Sequence, residues 1–552
     1  MIVDKSSMTS SSSHDHRVQQ LLRRDSRPNI LIMMTDQQRS DTICAGGASF
    51  MKTPNIDRLA SYGRLYTNAY SPNPICMPAR HNMLTGLTAR HHGYPENCYG
   101  FGMPLGIPTF PQILSDHGYE TRTIGKNHFY PSRRHNGYLN MELMEEVPAF
   151  REEDQYLMYL KKNGYGHVLN IHGVRNLLYM VPQRSQIPEE HHGTTWVANS
   201  AIDFIETNHG RHPWLLTLGW IAPHPPFNVP DEFSELYNDV EFPGPHVSKT
   251  SISSHAEENK LLGDLPNQHY LRRMRELYYG AITHVDHHVG RILDSLESSG
   301  QLQNTLIFFI SDHGEMLGDH GTYQKWLPYD SCSKIPFILH FPDRVNLGEV
   351  SDDFVDLNDV LPTILDAAGL EYPGSYELAG RSLLEDVPRK SHQYIEYASG
   401  NRRWISFRNN THKYNYYFGG GKEELFNLEQ DHTESENLLE VSQNEVRHIK
   451  EDLHDRLVQH EKIWGLQDTV QGDEFVAMDP LIAKPYRNRA FPIFQNKITN
   501  NKEISELNDF FDEVLTVIKK EPIVNLGELD LITWKKSGNF TDKEISDLIQ
   551  RR

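Results

Sequence analysis

The segment Asn29–Gln38, "NILIMMTDQQ", decides the fold. Residues Ile30 to Met34 form an unbroken apolar run, and Asp36 follows almost at once. So short a continuous run fits a strand buried on both faces of a parallel sheet; a half-solvated strand would alternate. The same pattern returns downstream. "YETRTIGKNHF" (119–129) ends a strand-like run at Lys126 and His128, "WLLTLGWIAPHPPF" (214–227) ends one at His224, and "TLIFFISDHGE" (305–315) ends one at Asp312 and His313.

Helical segments lie between these runs. "TPNIDRLASYG" (53–63) has Thr53 as N-cap, Pro54 in the first turn and Gly63 at the end, and "TFPQILSDHG" (109–118) repeats this with Thr109 and Gly118. "VANSAIDFIETN" and a long segment around 272–299, stopped by Gly300, complete the set. Strands alternating with helices predict an α/β fold, a mostly parallel central sheet flanked by helices with right-handed crossovers. Ligands bind outside the carboxyl ends of such strands. Loops are polar anyway, but four strand ends that each deliver Asp, His or Lys predict one shared site.

Near residue 385 the texture changes. "QYIEYASGNRRWISFRNNTHKYNYYFGGGKEELFNL" is aromatic, alternating and punctuated by glycine, which predicts antiparallel strands, and an amphipathic helix follows within 440–463. The expected organisation is a disordered polar tail at 1–27, a catalytic α/β domain at 28–385, a smaller α+β subdomain with an antiparallel sheet at 386–470, and an extension at 471–552. The extension carries weak helices such as "NDFFDEVLTVIKK" and is a candidate for oligomerisation.

A net charge of −20 over 552 residues disfavours nucleic-acid binding, which needs a basic surface, but leaves room for a small anionic substrate in a locally basic pocket. The scattered Cys44, Cys76, Cys98 and Cys332 make neither a disulfide scaffold nor a CxxC zinc site. No stretch approaches the ~18 apolar residues of a membrane span. The N-terminus lacks the apolar core of a secretory signal, so a cytoplasmic location is expected, or a periplasmic or secreted one if that terminus replaced an export signal.

One segment remains, "NPICMPARHNMLTG" (73–86). A lone cysteine is most often a small buried hydrophobe. Here Cys76-x-Pro78-x-Arg80, followed by Leu84-Thr85-Gly86, resembles the signature of the type I, formylglycine-dependent sulfatases of the alkaline phosphatase superfamily. "TDQQ", "GKNHF", "PHPPF", "SDHGEMLGDHG…K" and "EELFNLEQDHTESENL" agree with that family in order, and the resemblance covers about residues 28–440. It implies an alkaline phosphatase-like fold and hydrolysis of a sulfate ester, carbohydrate, alkyl or aryl. It also implies a separate enzyme that oxidises Cys76 to formylglycine.

The resemblance further implies that Asp36, Gln37, Asp312 and His313, with the modified Cys76, hold a divalent metal, calcium first, magnesium or manganese next. A sulfate ester repels nucleophiles through its anionic oxygens, and a cation in hard oxygen ligands offsets that charge. The hydrated aldehyde is expected to attack sulfur with one hydroxyl and release sulfate through the other. Pro78 suits a helix first turn, which puts Cys76 at a helix N-terminus where anions are favoured. Arg80 is expected to hold the modified side chain, Lys126 and Lys325 the sulfate oxygens. His128 is expected to act as base, and His224 with Lys325 to protonate the departing alcohol.

Ala79 replaces the usual serine, Gln37 a frequent aspartate and His313 a frequent asparagine. The last two variants occur in the family's phosphonate and phosphodiester hydrolases as well as in some sulfatases. The competing readings are therefore a phosphonate monoester or phosphodiester hydrolase on the same site and, from another class, an inactive sulfatase-like binding protein. Residues 130–190, with Arg133, Arg134, His135 and several tyrosines, are expected to set specificity. His284 and His288 are one helical turn apart, but "HVDHH" lacks the glutamate of a zinc hydrolase helix and is expected to bind no metal. His91 with His92, and His191 with His192, could line a pocket but are expected in surface loops, and Gly419–Gly421 in a turn.

Overall fold

The computed structural model describes residues 27–148, 150–168, 170–173, 182–208, 212–258, 268–385 and 390–482, with positions 524, 525, 541 and 543 beyond. The opening run forms β1 (Asn29–Asp36), buried along its whole length. Ile30, Ile32 and Met34 join the core on one face, Leu31 and Met33 the core on the other. Burying each such side chain is worth roughly 1.5–3 kcal/mol, which holds the strand between the two cores.

β1 lies inside an eight-stranded sheet with β2 (Arg64–Tyr70), β3 (Glu120–Gly125), β4 (Asn140–Leu143), β5 (Trp214–Pro223), β6 (Thr305–Ser311), β7 (Phe337–His340) and β8 (Glu349–Asp356). The order across the sheet is β8-β2-β7-β6-β1-β5-β3-β4. β7 runs antiparallel to both its neighbours and the other pairings are parallel, so the sheet is mostly parallel. The strands read as delivering site residues, β6, β1, β5 and β3, are consecutive, and their carboxyl ends open on one crevice.

Among the described residues, the helices that cover the two faces include α1 (Pro54–Ser61), α2 (Cys76–Thr85), α3 (Phe110–Asp116), α4 (Gly193–Thr207), α5 (Gln268–Ser298) and α6 (Val360–Ala368). Ile56, Val197, Ala201, Val289 and Ile292 place α1, α4 and α5 on the Leu31 face. Leu84, Ile113 and Leu361 place α2, α3 and α6 on the Ile30 face. Thr109 caps α3 by accepting from Gln112 N. Thr53 does not cap α1 as expected: its hydroxyl accepts from Cys44 N at 3.0 Å and donates to Asp57, so a tertiary contact has taken the capping oxygen. Gly125 and Gly219 face each other in register on β3 and β5, and a Cβ on Gly219 would strike the Lys126 carbonyl. This close approach lets Lys126 leave the sheet directly into the crevice.

The second sheet is antiparallel, β9 (Gln393–Tyr397), β10 (Trp404–Arg408), β11 (His412–Tyr417) and β12 (Lys422–Asn427), in chain order. The Gly419–Gly421 run joins its last two strands. α7 (Arg447–Trp464) packs Leu453, Leu457 and Val458 on Ile405, Phe407 and Leu425. The sheet is tied to the loop before Cys76: Asn73 Nδ2 donates to the Glu396 carbonyl at 3.0 Å, and Glu396 N to the Pro72 carbonyl at 2.9 Å. Trp404 Nε1 donates to the Trp326 carbonyl at 2.8 Å, beside Lys325. Of the extension, Val524–Asn525 pairs with Gln183–Arg184. Residues 1–26 and "NDFFDEVLTVIKK" lie outside the described residues. Among the described residues no helix is long and apolar enough to cross a membrane.

Candidate active site

The site is assembled around the first residue of α2. Ile75 is extended, the helix begins at Cys76, Pro78 sits in the first turn where its missing N–H costs nothing, and all of α2 is buried. The Cys76 thiol lies 3.0 Å from Lys325 Nζ, 3.3 Å from His313 Nε2, 3.7 Å from Lys126 Nζ and 3.8 Å from Asp36 Oδ1. Burial pushes this thiol up, but Lys126, Lys325 and His313 outweigh burial and hold it well below the usual range, with His128 adding to the effect. A side chain here is therefore held as an anion, or takes one.

Arg80, one helical turn on, faces the same way. It donates to Asp36 Oδ2 and Asp312 Oδ2, each at 3.0 Å, and to the Lys126 carbonyl at 2.8 Å. Arg80, expected to hold the modified side chain, spans the two aspartates with its fork beside the unmodified thiol. Asp36 is held low because Lys126, His224 and Lys325 overcome its burial and the Cys76 charge. Asp312 is pushed up by burial and then by Asp36. Two fully buried carboxylates that cannot both ionise comfortably mark a place for a further cation.

Ligating atoms of Asp36, Cys76, Asp312 and His313 all lie within 4.8 Å of one another. Hard oxygens with one imidazole suit a divalent cation. Gln37 stands slightly apart: its Oε1 accepts from Lys325 at 2.8 Å, which leaves that oxygen one lone pair for an ion, while its amide nitrogen donates to buried Glu315. The residues present fit a metal.

His224 follows β5. Its Nδ1 bonds the Pro225 carbonyl at 2.6 Å, so the ring proton sits there and Nε2 accepts from Lys325 at 2.9 Å. Burial, then Lys325, holds the imidazole well below its usual value, so in this pair the proton rests on the lysine. His128 is held by its backbone N–H to Glu145 at 3.0 Å and by Tyr99 Oη at 2.7 Å from Nε2. Gln37, His128, Gln324 and Trp326 all have left-handed backbones, with φ of 66°, 55°, 69° and 77°. Such strain in non-glycine residues costs of order 1–3 kcal/mol each and collects where geometry is imposed by function.

All ten predicted site residues thus converge. Sequence reading missed Glu146, which contacts Lys126 and lies 3.5 Å from His224 Nε2, and Glu315, which fixes Gln37. Glu315 stands inside the quoted "SDHGE", and its burial depends on contacts with Gln37 and Gln324 that the motif does not show. Glu146 falls in the 130–190 segment, where basic residues drew attention instead; Arg133 is exposed and bonds the Glu153 carbonyl at 2.9 Å. His92, expected at the surface, is buried against Asn82 at 3.2 Å because α2 covers it.

A cation-lined anion pocket at the carboxyl ends of a mostly parallel sheet, with a buried acid pair beside it, suits an anionic ester and a divalent cation. The family model for "Sulfatase" matches residues 28–370, and that for "N-sulphoglucosamine sulphohydrolase, C-terminal" matches 318–463. An arylsulfatase of Clostridium perfringens is 31% identical over 446 residues, covering 76% of this chain and 92% of its own length. The solved phosphonate monoester hydrolase of Agrobacterium radiobacter shares the fold with a TM-score of 0.69 at 22% identity, over 79% of this chain and 96% of that one. A structure solved with D-glucosamine-2-N,6-O-disulfate as its substrate has a TM-score of 0.65 at 22% identity, over 80% and 99%. The chain belongs to the sulfatase family of the alkaline phosphatase superfamily, and it is a sulfuric ester hydrolase.

Proposed function

We propose that this chain hydrolyses a carbohydrate, alkyl or aryl sulfate ester, using formylglycine made from Cys76 by a separate maturation enzyme. The observation that carries this is the Cys76 side chain at a buried helix N-terminus between two lysines, with the Lys325–His224 pair in contact. The modified side chain supplies a hydroxyl nucleophile toward sulfur. Asp36, Gln37, Asp312 and His313, with the modified residue 76, would hold calcium, or magnesium or manganese, and that ion would offset the charge on the ester oxygens. Lys126 and Lys325 bind those oxygens, and Arg80 keeps the two aspartates in place. His128 takes a proton from residue 76, and the Lys325–His224 pair gives the proton it shares to the departing alcohol. The named arylsulfatase and the glucosamine disulfate complex support aryl and sugar sulfates as the classes to try first.

Gln37 and His313 favour, as the second reading, a phosphonate monoester or phosphodiester hydrolase on the same machinery. Mass spectrometry of the peptide spanning residue 76 and parallel assays on nitrophenyl sulfate and a phenyl phosphonate ester separate the two. The expected result is a formylglycine mass with kcat/KM higher for the sulfate; a higher value for the phosphonate would reverse the assignment.

Chelation should stop turnover and lower the melting temperature, since an ion at ~100 times its Kd adds about 2.7 kcal/mol. Added calcium should restore both in the wild type and do little in Asp312→Ala. An undiminished rate after chelation would remove Asp36 and Asp312 from the ligand set.

A further inference from the structure

Away from the catalytic cluster, α5 presses His284 and His288 against the turn Glu189–His191 and the first turn of α4. The two Nε2 atoms face each other at 3.2 Å and lie 3.5 and 3.4 Å from Glu189 Oε1. The Thr195 hydroxyl closes the figure, 3.3 and 3.0 Å from the two nitrogens and 2.9 Å from the carboxylate oxygen. Atoms so spaced are the corners of a nearly regular tetrahedron. Its centre lies about 2.0 Å from every corner, the bond length zinc makes to imidazole nitrogen and carboxylate oxygen. Both imidazoles are buried, while Glu189 is partly exposed and gives an ion a way in.

We propose that Glu189, His284 and His288 form a second metal site for a divalent cation of the zinc class, with the Thr195 oxygen or a water at the fourth corner. The carboxylate missing from the "HVDHH" segment is supplied by a turn distant in sequence. Two imidazoles and one carboxylate suit zinc and do not suit calcium, which takes six to eight oxygens. The two metal sites of the protein therefore select different ions. This ion staples the start of α4 to the middle of α5, beside the cavity that His192, His284 and His224 line.

One contact opposes binding. Arg291 Nη1 lies 3.1 Å from His288 Nδ1, and a donor there keeps the ring proton on Nε2, aimed into the cage. Metal binding moves that proton to Nδ1 and turns Arg291 toward Asn199, which its Nη2 already bonds at 2.8 Å.

Cobalt(II) tests the site, because tetrahedral coordination gives strong visible absorption and octahedral coordination does not. Full-length protein is stripped with chelator, saturated with calcium and titrated with cobalt. One tightly bound equivalent with tetrahedral absorption is expected in the wild type and in Asp312→Ala. His288→Gln and Glu189→Gln should each weaken binding by more than the ~10–100-fold typical of groups outside the coordination shell. Glu189→Gln lies on a partly exposed turn and keeps the test open should His288→Gln misfold. Arg291→Met should bind cobalt more tightly than the wild type. Absorption that survives in both ligand variants but disappears in Asp312→Ala would place the ion in the catalytic centre and overturn the proposal. So would the lack of tetrahedral absorption in the wild type and Arg291→Met alike, which would leave a proton-sharing cluster.

Discussion

Cys76→Ala is expected to lower turnover by at least about 10⁴-fold while leaving the protein folded. Loss of a covalent nucleophile removes the route itself, and effects of that size are the rule when nucleophile and acid–base groups act as a unit. Stability should barely move. Cys76 is fully buried, but the change deletes one heavy atom, comparable to a buried methylene at ~0.8 kcal/mol. The deletion also removes an anion from between Lys126 and Lys325, and those lysines keep Asp36, Glu146 and Gln37 as partners. Protein produced without the maturation enzyme should be nearly as inactive as the alanine variant, with an unmodified mass at residue 76. Thermal melts and kcat on nitrophenyl sulfate measure both effects. Full activity in either preparation would sink formylglycine as the nucleophile.

His224→Ala should lose about 10² to 10⁴ in kcat/KM on an alkyl or sugar sulfate, and far less on nitrophenyl sulfate. An alkoxide leaves only with a proton; a nitrophenolate is already a stable anion. The geometry sharpens this expectation. His224 Nε2 accepts from Lys325, so the pair shares one proton beside the departing oxygen, and removing the ring takes away half of that acid. Without the ring, Lys325 still reaches the residue-76 side chain at 3.0 Å, so its share of oxygen binding survives and the nitrophenyl rate is spared. Comparing the two substrates in one variant cancels any general damage. Equal losses on both would instead place His224 in sulfate binding, which does not depend on the leaving group.

The sequence by itself determined what is local. Ile30 to Met34 marked a strand buried on both faces, because consecutive apolar side chains leave no solvated side. Pro78 and Arg80, counted from Cys76, placed a helix start and a cation one turn on, since helical spacing is set within a few residues. The ordered motifs from "TDQQ" to Lys325 named the residues that meet in the crevice.

Only the tertiary structure decided their partners. Arg80 bridges Asp36 and Asp312, the Thr53 oxygen is drawn from its helix cap to Cys44, and β7 runs against its neighbours. Glu146 entered the anion pocket, and Glu189 reached His284 and His288, from stretches whose own patterns gave no sign of it. Periodicity, caps and motif spacing are properties of a few neighbouring residues. Which carboxylate meets which cation across the fold depends on how the chain packs, and there desolvation makes an unpaired charge so costly that distant partners are drawn together.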